Sequence, residues 1–192
     1  MAVRHAFTVD EWHRMGEFGL FGDGARVELL DGEVIEMSPI GSPHASCVAR
    51  LNFLLMRAVG SRALIFPQNP VGLDNYSEPQ PDIAVLAPRP DGYSQSHPTP
   101  PDVLLLIEVA DTTLPFDRDH KSFVYARSGV RQTWIVDLTG DEVLVMGSPA
   151  PDGYGRVRSL RRGEQLEIEA LESVVLHVDD VLGPDWPVQP VR

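Results

Sequence analysis

The run Asp102-Val-Leu-Leu-Leu-Ile-Glu108 leaves few folds open to this chain. Its apolar residues do not alternate with polar ones, so a strand here must be covered on both faces. A sheet with such a strand at its centre needs a layer on each side, as in an α/β domain. Asp117 to Ser128 then reads as a helix stopped by Gly129. Arg131 to Leu138 is a second buried strand. A right-handed crossover between the two strands would lay the helix over the sheet.

The rest of the chain supplies shorter elements. Thr8-Val-Asp-Glu11 has the form of a capping box and opens a helix through about Met15. Arg26 to Met37 reads as two strands joined at Asp31-Gly32. Ser42-Pro43 places a cap and a proline before a helix, along which Val48, Leu51, Leu55 and Val59 recur at helical spacing. Ala63 to Phe66 and Pro81 to Ala87 are short strands, and the proline-rich stretch 88–101 is an exposed, mobile loop. After the turn Thr139-Gly-Asp come Glu142 to Met146 and short strands from Tyr154 to Val178, with arginines at 156, 158, 161 and 162.

Composition excludes several classes. No apolar run approaches the roughly 20 residues that span a bilayer, and Met1-Ala-Val-Arg-His5 lacks the apolar core of a signal peptide, so a cytoplasmic protein is expected. The single cysteine, Cys47, cannot form an internal disulfide, and no Cys/His spacing suggests zinc. The net charge of −12 opposes non-specific affinity for a polyanion.

A constellation of charged residues follows from the strand pattern. If the strands flanking the 88–101 loop pair antiparallel, a register opposing Val85 to Leu105 also opposes Asp82 to Glu108. Opposed side chains share a face, with Cβ atoms about 5 Å apart. Two carboxylates so close repel unless a cation lies between them or one is protonated. A hard divalent ion such as Mg²⁺ is the natural solution. Of sixteen lysines and arginines, only Lys121 is lysine. It shares a helical face with Val124, Tyr125 and Ser128, one turn after Asp117, so it is carried inward with the apolar pair. An acid pair, a metal and a lysine are the parts for hydrolysing a phosphodiester. Each residue also has an ordinary reading: Asp82 as a turn or cap, Glu108 as the point where a strand reaches solvent, Lys121 as a snorkelling partner of Asp117.

The ordered set Pro81-Asp82, Ile107-Glu108-Val109, Asp117-Arg-Asp-His-Lys121, Tyr125-Ala-Arg-Ser-Gly-Val130 and Thr133-Trp-Ile-Val-Asp137 resembles a bacterial family of "putative restriction endonucleases" within the PD-(D/E)XK nuclease superfamily. So do Val27-Glu-Leu-Leu-Asp-Gly-Glu33, Met37-Ser-Pro39 and His44. The resemblance implies an α/β, restriction-endonuclease-like mixed central sheet flanked by helices, with an added N-terminal hairpin and C-terminal strands. The three prolines after Gly183 suggest a frayed tail, so one nuclease-like domain is expected over 1–183 and a proline-rich tail over 184–192. Asp82 and Glu108 would hold Mg²⁺, with Mn²⁺ as a substitute, and Lys121 would be the catalytic lysine. The superfamily's usual lysine position is here Ala110, so the strand motif is incomplete; this family resembles members whose lysine has moved to the following helix. The Val109 carbonyl is an expected further ligand. Glu28 is either an added metal acid or an ordinary strand residue. Asp111 departs from the family's serine-rich turn and either binds metal or weakens phosphate approach. His44 either contacts phosphate or caps packing.

The leading expectation is a Mg²⁺-dependent endonuclease acting on DNA, with the 156–162 arginines as a positive rim and a homo-oligomer, for example a dimer, suited to paired cuts. The alternative is a catalytically inactive nuclease-fold binding or assembly module, and a third is hydrolysis of RNA or another phosphodiester. Lys121 is expected to act in chemistry and to matter little for folding.

Overall fold

The computed structural model describes residues 3–22 and 24–183, so the tail expected over 184–192 lies outside the described residues. Six strands form the central sheet: β3 (Leu64–Pro67), β4 (Ile83–Leu86), β5 (Val103–Ala110), β6 (Gln132–Asp137), β7 (Glu142–Ala150) and β8 (Gly153–Arg161), in that spatial order. Only β5 and β6 pair parallel. Parallel neighbours need a long crossover, and here it is helical: α3 (Leu114–Phe116), a π-helical turn (Asp117–Lys121) and α4 (Ser122–Arg127). The helix therefore starts three residues earlier than the sequence pattern placed it. Its middle turn is wider than α, with the Ser122 N–H reaching back to the Asp117 carbonyl.

Strand β5 is buried on both sides, as its composition demands. Leu105, Ile107 and Val109 join Ile83, Val85 and Trp134 against one helical layer, α2 (Ser42–Val59), which contributes Cys47, Leu51, Leu55 and Val59. The alternate residue Leu106, with Ala84 and Leu86, packs against Val124, Tyr125 and Leu30 on the other face. Each fully buried Leu, Ile or Val contributes about 1.5–3 kcal/mol, so a one-residue slip of β5 would turn both sets of side chains to the wrong layer.

The N-terminal helix α1 (Val9–Glu17) begins in the expected capping box, with the Glu11 N–H donating to Thr8 Oγ1 at 3.2 Å and the Thr8 N–H to Glu11 Oε2 at 2.9 Å. Strands β1 (Val27–Leu30) and β2 (Glu33–Glu36) form the hairpin, and Asp31 and Gly32 both take positive φ, as a tight two-residue turn requires. Gly32 also admits the preceding chain: a Cβ there would stand 2.6 Å from that of Ala6. At α2 the cap is Gly41, not Ser42, which already lies in the helix. The 88–101 loop stands at the end of β4–β5 away from Asp82 and Glu108. It is tied down by the Tyr93 hydroxyl, which donates to the Ala87 carbonyl at 2.6 Å, and by Arg89 paired with Asp91.

At the far edge β8 is a full strand rather than a short one, and three of the four arginines expected to form a positive rim are paired with acids. Arg156 pairs with Glu169, Arg161 with Glu142 at 3.2 Å, and Arg162 with Asp141 at 2.7 Å. Two short strands, β9 (Gln165–Glu167) and β10 (Val175–His177), and the helix α5 (Val178–Leu182) close the α2 side of the core. Arg50 anchors this closure from within: its Nε donates to the Val181 carbonyl at 3.0 Å and its Nη2 to that of Leu182 at 2.9 Å. Replacing Arg50 by alanine strands two buried carbonyls and should cost about 3 kcal/mol in urea unfolding. A loss under about 1 kcal/mol would show that α5 is held by its apolar contacts alone.

Candidate active site

Charge enters this fold on the face of the sheet that carries α4. Glu108 follows Leu106 by two residues along β5, so it points to the same side, toward the inward stripe of the crossover helix. There Lys121 Nζ lies 3.2 Å from Glu108 Oε1 and 3.1 Å from Glu28 Oε1. Lys121 is 4% exposed, Glu108 3% and Glu28 1%. The Tyr125 hydroxyl, one turn after Lys121, also donates to Glu108 Oε1. Glu28 is held from its other side by the Gln80 N–H at 3.1 Å. Asp117 is buried at the start of the π-helical turn and accepts from Thr113.

Asp82 sits one residue before β4. The ladder Ile83↔Ile107, Ala84↔Leu106 and Val85↔Leu105 is the expected register, so the next pair outward is Asp82 and Glu108. Asp82 Oδ2 accepts from the Val109 N–H and faces His44 Nε2, both at 2.9 Å. His44 is thus aimed at the carboxylate, with its buried Nδ1 meeting no partner among the described residues. Asp82, Glu108, Glu28, Asp117, His44 and Lys121 all line one cleft of about 630 Å³. Asp111 lines it too, at the rim near Gly41 rather than within the Lys121 network.

The balance of charge in this cleft is one-sided. Its acids are Glu28, Glu36, Asp82, Glu108, Asp111 and Asp117, and its strongly basic residues are Arg26 and Lys121 alone. Burial pushes the Glu108 carboxyl up to about 8, Lys121 opposing and Asp117, Asp82 and Glu28 adding to the rise. Burial likewise raises Asp117 against the pull of Lys121 and Thr113. For Lys121 burial disfavours the charge, but Glu108, Glu28 and Asp117 outweigh it and raise its pKa above the ordinary value. The ammonium is thus a fixed positive charge and a hydrogen-bond donor, not a base.

A family model described as "Putative restriction endonuclease" (Uma2) matches residues 9–179. The chain belongs to this family. Among curated proteins, none matches. Among solved structures, the crystal structure of a "putative nuclease" of DUF820 from Anabaena variabilis superposes with a TM-score of 0.70 at 15% identity, covering 92% of this chain and 97% of that one. At that identity the likeness speaks for the fold alone: a mixed central sheet flanked by helices, as expected from the sequence, here with six strands.

Every residue expected to bind metal or act in catalysis lies on the cleft, but not in one cluster. Glu28, Glu108 and Lys121 form a buried network with Asp117 close by, Asp82 and His44 form a second pair beside it, and Asp111 stands apart. Tyr125 is the participant that sequence reasoning missed, having been read only as a core residue. A tyrosine one turn beyond a buried lysine carries a polar tip that needs a partner, and that was its visible signal. The contacts of Lys121 argue against the expectation that it matters little for folding, because truncating it leaves the buried Glu28 and Glu108 without their shared cation. Lys121→Ala should lose about 3–5 kcal/mol at neutral pH and less in acid, where those carboxyls protonate.

The raised Glu108 carboxyl has its own signature. A carboxyl that binds its proton more tightly when folded contributes stability fully below its ordinary value of 4.5, and that contribution is lost as pH rises toward about 8. In chelator-containing buffer the unfolding free energy should fall by on the order of 3 kcal/mol between pH 5 and pH 8, and Glu108→Gln should flatten the fall. Equal slopes for the two proteins would show that Glu108 ionises as freely in the fold as in the open chain.

Proposed function

We propose that the protein is a metal-dependent endonuclease that hydrolyses DNA phosphodiester bonds. Asp82 and Glu108 would hold Mg²⁺, or Mn²⁺ in its place, and Lys121 would assist water attack, as in PD-(D/E)XK nucleases whose lysine sits on the helix. The observation that carries this reading is the fixed ammonium of Lys121 against Glu108, in a cleft whose acids far outnumber its bases.

The donor set fits such an ion. Among the described residues no three His, Cys, Asp or Glu side chains form a ready cage. Mg²⁺ does not require one, since it is commonly held by one or two carboxylates together with water and substrate phosphate. Glu108 Oε2 takes no hydrogen bond from the described residues, and Asp82 Oδ1 has only the Gln68 amide at 3.5 Å. One oxygen of each acid is therefore free to bind, and the Val109 carbonyl, on the same cleft, is the proposed third protein ligand. Glu28, with both oxygens taken by Lys121 and Gln80, supports the lysine rather than the ion.

When bound, the ion would polarise the phosphate and lower the pKa of its water. The rest is done by side chains. Lys121 orients the attacking water or neutralises charge developing on the phosphoryl oxygens, and being anchored by Glu28 and Glu108 it needs no reorganisation to do so. His44 and the Val109 N–H fix the Asp82 carboxylate so that its free oxygen keeps one direction. Tyr125 and Lys121 together hold Glu108 Oε1. No side chain caps the first turn of α2, whose Gly41 and His44 line the cleft, and a helix start of this kind favours a nearby phosphate.

The inactive binding or assembly module has one observation on its side: both acids have an oxygen already satisfied by internal donors, as in a purely structural network. Incubation of single-stranded, supercoiled and linear DNA with Mg²⁺ or Mn²⁺ separates the readings, cleavage of any one of them counting for the nuclease. Metal-dependent cleavage is expected, reduced on the order of 10²-fold or more in Lys121→Ala per folded molecule. Lys121→Arg should not restore it, because a planar guanidinium does not fit the slot of a point charge between two carboxylates. Absence of cleavage with any divalent ion, together with Mn²⁺ affinity unchanged in the Asp82→Ala, Glu108→Ala double variant, would hand the lead to the module.

A further inference from the structure

We infer that the cleft accepts an unpaired strand, one nucleotide seated with its base against an apolar lip and its phosphate on the acid–lysine floor, and that it does not accept an intact duplex. The inference rests on the nuclease reading for the identity of the phosphate and adds the state of the strand.

The lip is the first observation. Beside the carboxylates the cleft is lined by Ile35, Met37, Pro39 and Ile40, from β2 and the loop leading to α2, and by Pro115 and Phe116 from α3. Ile35 and Phe116 also pack on the core, which accounts for them in part. Packing does not account for Pro39, which is exposed, or for Ile40, which is 43% exposed. A site that grips only phosphate has no use for apolar side chains on a loop over it. The apolar parts of a nucleic acid are the base faces, and in a duplex these are stacked inside. Enzymes that work in a pocket therefore take the nucleotide out of the stack or act on single strands, and sequence-tolerant single-strand sites use aromatic and apolar platforms beside a phosphate track.

Size and charge point the same way. A cleft of about 630 Å³ falls within the roughly 300–1,000 Å³ of small-ligand pockets, which suits one nucleotide and not a double helix. A duplex binder draws its affinity from cations laid along two backbones. Here the strongly basic residues lining the cleft are Arg26 and Lys121. The clustered arginines lie on β8, three strands from β5, with Arg156, Arg161 and Arg162 already paired with acids.

The test is binding, read by fluorescence anisotropy with a labelled 12-nucleotide DNA, single-stranded or annealed to its complement, in Ca²⁺ at low salt. The single strand should bind at least tenfold more tightly than the duplex. Ile40→Ser, an exposed position that leaves the core untouched, and Phe116→Leu, which keeps an apolar contact but removes the ring, should each weaken single-strand binding by about three- to tenfold and leave duplex binding unchanged. Equal or tighter binding of the duplex overturns the inference, as does a single-strand preference that survives both substitutions. Because no turnover is measured, a protein that hydrolyses nothing still gives an answer here, so failure of the nuclease reading and failure of the unpaired-strand inference are told apart.

Discussion

A lysine buried at 4% exposure is tolerable only if something within reach repays its lost hydration, and in this fold two carboxyls in contact do, helped by the field of a third, Asp117. They come from separate parts of the chain: Glu28 from the hairpin, Glu108 from the central strand, Asp117 from the same helical turn as the lysine. The contact therefore fixes how the hairpin and the crossover helix sit on the sheet. It also sets the electrostatic character of the cleft. One positive charge cannot satisfy three buried acids, so Glu108 and Asp117 retain raised pKa values even beside it. The site that results is unbalanced by construction, and an unbalanced acidic cleft is a place for a cation.

Much of this was legible because parity is rigid. Once β4 and β5 are taken as antiparallel neighbours, period-two alternation and the need to bury Val85 and Leu105 leave one acceptable register, and Asp82 and Glu108 meet as a consequence. The same reasoning carried Lys121 inward, since Val124 and Tyr125 could not both be buried without it. What escaped was decided by contacts distant in sequence or by backbone detail finer than periodicity. Nothing in Asp117 to Lys121 announces a π-helical turn. The arginines of 156–162 looked like a free basic cluster because their partners are distant in sequence: Asp141 in the turn before β7, Glu142 on β7 and Glu169 in a later turn. The 88–101 loop read as mobile from its prolines, yet Tyr93 folds back on Ala87.

The network also shows why a structural and a chemical role for Lys121 cannot be separated by simple truncation. The neighbours that hold its charge in place are those left stranded without it. This arrangement differs from the tunable amine that a lone lysine suggested in the sequence, because Glu108, Glu28 and Asp117 drive its proton affinity up and remove it as a base. Its usefulness lies instead in being immobile. A donor that is already oriented and already desolvated costs nothing to organise when charge develops opposite it.

The protein's net charge of −12 then changes from an objection to a part of the reading. Six acids against Arg26 and Lys121 make the bare cleft hostile to phosphate. On the proposed function, a divalent ion is needed before any strand can settle, so metal and nucleic acid bind as linked events. Linkage is reciprocal: whatever factor the ion adds to the affinity for a strand, the strand adds to the affinity for the ion. A weakly held ion in the free protein is thus compatible with a fully metallated complex. On the same reading, an acid excess that disfavours phosphate backbone elsewhere would direct a strand to the cleft, where a bound cation, the fixed ammonium and the apolar lip would act together.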